Sequence, residues 1–114
     1  MIKITISCLL FFCVSASHAT EIYTTKITTL MLDKKYAHQV YIKTSKPHVS
    51  GSPECHASSW SFVLKIDTDQ SETMYSVLLA AYMAGKTVNL IGSDTCNSHN
   101  GIEDLRRIEI SSNA

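Results

Sequence analysis

The chain has almost no excess of charge of either sign. Its 114 residues carry 10 Lys and Arg against 10 Asp and Glu, with no basic cluster larger than pairs such as Lys34-Lys35 and Arg106-Arg107. Nucleic acid and anionic membrane surfaces both call for concentrated positive charge, so neither is expected as a partner. Also missing is an apolar run of about 20 residues, the length a membrane-spanning helix needs. No G-x-S-x-G, H-E-x-x-H or phosphate-binding loop occurs, and His38, His48, His56 and His99 each lack a sequence neighbour at a spacing that catalysis uses. Glu103 and Asp104 are adjacent carboxyl groups whose side chains point apart, the pattern of a solvated turn rather than an acid–base pair. These absences argue against an enzyme, and nothing in the chain calls for a cofactor.

What is present begins with the first nineteen residues. One cation, Lys3, precedes an apolar stretch from Ile4 to Val14, which leads to Ser15-Ala16-Ser17-His18-Ala19. A basic start, a short apolar segment and small residues at the third and first positions before a cut make a secretory signal peptide, with cleavage expected after Ala19. Phe12 before Cys13 does not fit a lipid-anchoring site. The expected mature chain, 20–114, is one small domain, secreted or periplasmic. Loss of Lys3 leaves nine cations against ten anions, a net charge of −1.

Cysteine becomes scarce once the signal is gone. Cys8 and Cys13 leave with it, and Cys55 and Cys96 remain. Two cysteines in an exported domain are most simply one disulfide. It would close a loop of about forty residues, for which chain entropy gives roughly 4 kcal/mol. The alternative is a metal site from Cys55, His56, Cys96 and His99, but the spacing differs from the two close pairs of a zinc finger, and an oxidising compartment disfavours thiolate ligation. A disulfide would likewise consume any nucleophilic thiol.

Proline and glycine punctuate the chain at few places. Both prolines lie in 45–57, "SKPHVSGSPECHA", read as a long loop with Cys55 near its end. Before it, Glu21 to Leu32 is dense in Thr, Ile and Tyr and reads as a strand; Asp33-Lys34-Lys35 reads as a turn, and His38 to Thr44 as the second strand of a hairpin. After it, Trp60, Phe62, Leu64 and Ile66 alternate with Ser61, Val63, Lys65 and Asp67, a third strand with Trp60 heading its core face. The period then changes. Asp69 to Gly85 opens with Asp69 and Glu72 in capping-box spacing, sets Met74, Val77, Leu78 and Ala81 on one stripe, and ends on glycine, which predicts a helix. Tyr75, Leu79, Tyr82 and Met83 widen its apolar surface, and no charge stands between Glu72 and Lys86. Such a helix is either deeply buried or turns its second face to another subunit. "KTVNLIG" and "LRRIEI" (residues 105–110) complete five strands.

The order β-β-β-α-β-β, with one helix between the third and fourth strands, predicts a mainly β fold, a five-stranded OB-fold-like barrel. The segment "SETMYSVLLAAYMAGKTVNLIGSDTC", where a helix with aromatic residues runs into "AGKTV" and a cysteine follows, resembles the B subunits of AB5 bacterial toxins, particularly the subtilase-cytotoxin and pertussis-like group. The same run is similar to small exported bacterial proteins without an assigned role. The likeness is closest over 71–96 and extends in element order over 22–110. It implies a homopentameric ring with the helices lining a central channel, a cell-surface glycan bound on the outer side, and a toxin A subunit as partner. The sequence departs from the toxins in cysteine placement, and it has Ile91 and Gly92 where relatives carry polar aromatic residues for sugar contact.

A glycan-binding module needs hydroxyl, amide and carboxylate groups around an aromatic face. The first strand offers Glu21, Tyr23, Thr24 and Thr25 for this role, and Tyr75, Leu79, Tyr82 and Met83 are the candidate oligomer interface. The competing expectation is a stand-alone exported protein with a structural or inhibitory role, monomeric and without a sugar site.

Overall fold

The computed structural model describes residues 19–112, so the expected signal segment before Ala19 lies outside the described residues. Five strands, β1 (Glu21–Met31), β2 (Gln39–Thr44), β3 (Phe62–Lys65), β4 (Thr87–Gly92) and β5 (Leu105–Glu109), form one sheet in the order β3-β2-β1-β4-β5. Every paired neighbour in it is antiparallel. A single helix, α1 (Asp69–Ala84), joins β3 to β4.

The sheet closes on itself. Val63 of β3 makes a parallel bridge to Asp104, and its N–H donates to the Glu103 carbonyl at 3.0 Å. Closure requires strong coiling, and β1 provides it by serving both halves of the barrel. Its first part pairs with β4 and its second with β2, with register breaks between Ile22 and Thr25 and between Ile27 and Thr29. Thr24 lies in the first break at φ 52°, a backbone state that costs a β-branched residue energy and that a bulge imposes.

The core lies inside the barrel. Val40, Ile42, Phe62, Leu64, Val88 and Leu90 point inward, and Leu78 and Ala81 of α1 enter from one end, with Met74 and Tyr75 packed beside them. At the start of α1 the Thr68 hydroxyl accepts from Ser71 N–H and the Ser71 hydroxyl accepts from Thr68 N–H. The capping box is therefore Thr68/Ser71, one residue ahead of the expected Asp69/Glu72. Those two carboxylates instead sit in the first turn, where they face the positive end of the helix dipole. At the other end Gly85 adopts φ 63°, and Lys86 N–H donates back to the Ala81 carbonyl.

The third strand is shorter than its alternation suggests. Phe62 and Leu64 face inward as expected, but the ladder stops at Phe62, and the chain turns outward at Ser61, which is pinned by its N–H to the Ile42 carbonyl and by its hydroxyl to that of Thr44. Trp60 thus leaves the core face. It lies on the outside of the barrel in a second cluster with Tyr41, Val63, Ile102, Met31 and Tyr36.

Candidate functional site

Two long loops meet outside the barrel: 45–61, before β3, and 93–104, between β4 and β5. Cys55 and Cys96 join them in a disulfide with Cα atoms 6.1 Å apart. A second tie lies just beyond it, where Ala57 N–H donates to the Gly101 carbonyl at 2.9 Å. Residues 57–60 follow one cysteine and residues 98–101 follow the other, so the staple sets the spacing between two short walls. Between those walls is a groove of about 260 Å³ lined by Tyr36, Tyr41, Trp60, His99, Asn100 and Ser58, with Met31 and Ile102 completing it.

The rings of this groove hold one another at edge-to-face geometry. Tyr41 stands 5.8 Å from Tyr36, 5.7 Å from Trp60 and 5.3 Å from His99, and Tyr36 stands 5.2 Å from His99. A hydrogen-bond chain fixes their orientation. The Tyr41 hydroxyl donates to Gln39 Oε1 at 2.6 Å, and Gln39 Nε2 donates to the Ser98 carbonyl at 2.7 Å. Since the tyrosine has one proton to give, the 2.8 Å contact with His99 must carry the proton of His99 Nδ1. This assigns the tautomer and leaves Nε2 as the hydrogen-bonding atom of a ring in the groove wall. Burial pushes the Tyr41 hydroxyl above its ordinary titration range, with Tyr36 and Asp33 adding to the effect, so it remains a neutral donor. Lys43 places its ammonium 4.7 Å from the centre of the Trp60 ring. Rigid aromatic surface, an amide from Asn100, a hydroxyl from Ser58 and an imidazole nitrogen thus converge on one opening.

The Asp104 carboxylate shapes one wall. It accepts from the N–H groups of Asn97 and Ser98 and from the Thr95 hydroxyl, which folds 95–98 into a tight turn. Glu103 points the other way. The pair diverges as adjacent residues should, but Glu103 is not solvated as expected: it is fully buried. Its Oε1 accepts from His48 Nε2 at 2.8 Å, and its own N–H donates to His56 Nδ1 at 2.9 Å. The two imidazoles stack at 3.5 Å between centroids. His48 Nδ1 faces the Val49 carbonyl at 3.0 Å. His48 thus bridges the Glu103 side chain and the backbone of its own loop. Burial first and the charge of His48 second hold His56 below the usual histidine range, and the backbone at Ser58 and Trp60 acts in the opposite direction.

The first-strand residues are spread over different surroundings. Tyr23 donates its hydroxyl to Glu21 Oε2 at 2.9 Å on exposed surface, and the neighbouring carboxylate holds the phenol above its ordinary range. Thr24 N–H donates to Asn89 Oδ1. Thr25 is fully buried, its hydroxyl bonded to that of Ser45 and accepting from Lys46 N–H, so its side chain faces no solvent. On α1, Leu79, Tyr82 and Met83 are exposed, Met83 at 75%, whereas Tyr75 is half-buried against the chain's own core.

A second opening, of about 400 Å³, lies over the seam between β3 and β5 and is lined by Lys65, Asp67, Gln70, Asp104, Arg106 and Met74. It mixes charges of both signs and has no aromatic wall. The aromatic groove escapes sequence reasoning because its members come from five separate stretches. The only local signals were two aromatic residues, Tyr36 and Trp60, placed beside the turn and the loop.

No family model and no curated protein sequence matches the chain. Among solved structures, it is similar to the cholera toxin-like B subunit from Citrobacter freundii, with a TM-score of 0.52 and 20% identity, over 82% of this chain and 87% of that one. The chain therefore shares the fold of a toxin B subunit and places its own set of rings and histidines upon it.

Proposed function

We propose that the protein is an exported, non-enzymatic binding module of the toxin B type that takes a cell-surface glycan in the groove between Trp60, Tyr36 and His99. The observation that carries this reading is the convergence of rigid aromatic rings with an imidazole, an amide and a hydroxyl on one opening. A sugar ring offers an apolar face and a rim of hydroxyls, and such a site matches both. The groove lies just below the roughly 300–1,000 Å³ typical of drug-sized ligands, which suits one terminal sugar. In this reading Glu21 and Tyr23 form a second, flatter contact surface, and Thr24 and Thr25 shape the strand beneath it.

The likeness to a toxin B subunit supports assembly as well. The exposed Leu79, Tyr82 and Met83 form an uncharged face that a homo-oligomer, a pentamer by analogy, would cover, and a toxin A subunit is the partner such a ring would carry. A glycan array probed with the oxidised mature protein tests the reading. Binding to a defined terminal sugar that is lost in Trp60→Ala supports it, and a wild-type protein that binds nothing on the array sinks it.

A further inference from the structure

We propose that Glu103 is the receiving site for the amino terminus that export creates, so that removal of the signal places the Thr20 ammonium in an ion pair with a fully buried carboxylate. The inference rests on cleavage after Ala19 and is independent of the sugar site.

Three contacts hold Thr20 in place. Its N–H points at Glu103 Oε2 at 3.3 Å, its carbonyl accepts from Gly92 N–H at 2.8 Å, and its hydroxyl donates to the Ser52 carbonyl. The first of these is long for a neutral N–H···O bond, whose usual distance is about 2.9–3.0 Å. As an amide, Thr20 brings one proton and no charge to that oxygen. As an ammonium it brings three protons and a full charge, and such bonds contract to about 2.7–2.9 Å.

The Glu103 carboxyl is held in place for this pairing. His48, from the loop before β3, occupies Glu103 Oε1, and His56 stacks behind it. From the β4–β5 loop, Asp94 donates its backbone N–H to Oε2 at 2.9 Å. The Glu103 carboxyl thus meets the point where the new terminus lies with one oxygen and holds His48 with the other. Thr20 itself is only half-buried, so an ammonium there keeps part of its hydration while it pairs. Before cleavage the same nitrogen is an uncharged amide. The fold therefore gains the charge pair, in place of a single long N–H contact, only after the signal is removed.

The test uses protein purified from the exported fraction, its first residue read by intact mass and amino-terminal sequencing. A chain starting at Thr20 is expected. A different first residue overturns the inference and leaves the glycan reading untouched. In the Thr20 form the α-amino group should titrate at least about one unit above its ordinary range near 7.7–8.0. Its acylation by an amine-reactive ester at pH 7 should be about tenfold slower than in Glu103→Gln. An exported variant with one alanine inserted before Thr20 keeps Glu103 and moves the charge by about 3.8 Å. Its amine should titrate in the ordinary range, and its thermal midpoint should fall below that of the Thr20 form at pH 7 and converge with it at pH 10. A Thr20 amine that titrates near 7.7–8.0, or the same titration in the inserted variant, contradicts the proposal.

Discussion

The imidazole of His48 lies on that of His56, with ring centroids 3.5 Å apart and planes 22° from parallel. One ring bridges the Glu103 carboxyl and the Val49 carbonyl; the other accepts the Glu103 N–H. The ordinary histidine value is 6.5, and His56 is held below it. The unfolded chain therefore takes up this proton at a higher pH than the folded one, so the contribution of His56 is complete above about 6.5 and declines as pH falls toward its folded value. Urea midpoints measured from pH 7.5 to 5.5 should decrease. His56→Asn, which can still accept from Glu103 N–H, should show a flatter dependence, and an equal slope in the two proteins would show that His56 is not responsible.

Gly92 and Glu103 share one space. A methyl group on residue 92 would overlap the Glu103 carboxyl carbon and both its oxygens. That carboxylate cannot swing away without breaking its bonds to His48 and to the Asp94 N–H. Gly92→Ala should therefore destabilise the fold by about 2–4 kcal/mol, from overpacking and a disturbed buried charge. Equilibrium unfolding checks this, and a loss below about 0.5 kcal/mol would mean that the cluster can rearrange.

The disulfide spaces the walls of the groove as well as shortening the unfolded chain. Cys55→Ser with Cys96→Ser should lose roughly 4 kcal/mol of stability. It should also weaken glycan binding at temperatures where the protein is still folded. Unchanged affinity with reduced stability would confine the bridge to a structural role.

On α1 the exposed Leu79 and Met83 are expected to lie between subunits. Leu79→Lys with Met83→Lys should reduce the native mass by light scattering to that of one chain without changing the circular dichroism spectrum. A monomeric wild-type protein would remove the ring from the account and leave the groove in place.

Much of the architecture was legible because it is local. Period-two alternation in 38–44 and 62–66, the 3.6 period of 69–84 and the closing Gly85 identify elements without any tertiary information. The order of those elements then narrows the fold to a small barrel, and the two cysteines outside the expected signal segment point to one bridge. The candidate site was not legible, because it is built from long-range pairs: Glu103 with His48 across 55 positions, His99 with Tyr41 across 58. Alternation also assigned Trp60 to the core, since Trp60, Phe62 and Leu64 keep a strict period of two. The turn at Ser61 breaks that period through two hydrogen bonds that no propensity encodes. Adjacent carboxyls such as Glu103-Asp104 usually face water, and burial of Glu103 is made tolerable by His48 and the N–H groups of Asp94 and Thr20, none of them near it in sequence.

Trp60 is the single tryptophan of the chain, so its fluorescence reports on the groove alone. The most direct test is a titration of the oxidised mature protein with sialyllactose, lactose and N-acetylglucosamine oligomers, reading tryptophan emission. Saturable quenching or a blue shift with one of these sugars is predicted, with affinity at least about tenfold weaker in Tyr36→Ala, a loss of about 1.4 kcal/mol. Array-positive sugars that leave the emission unchanged, and bind Trp60→Ala as tightly as wild type, would contradict a glycan site between Trp60, Tyr36 and His99.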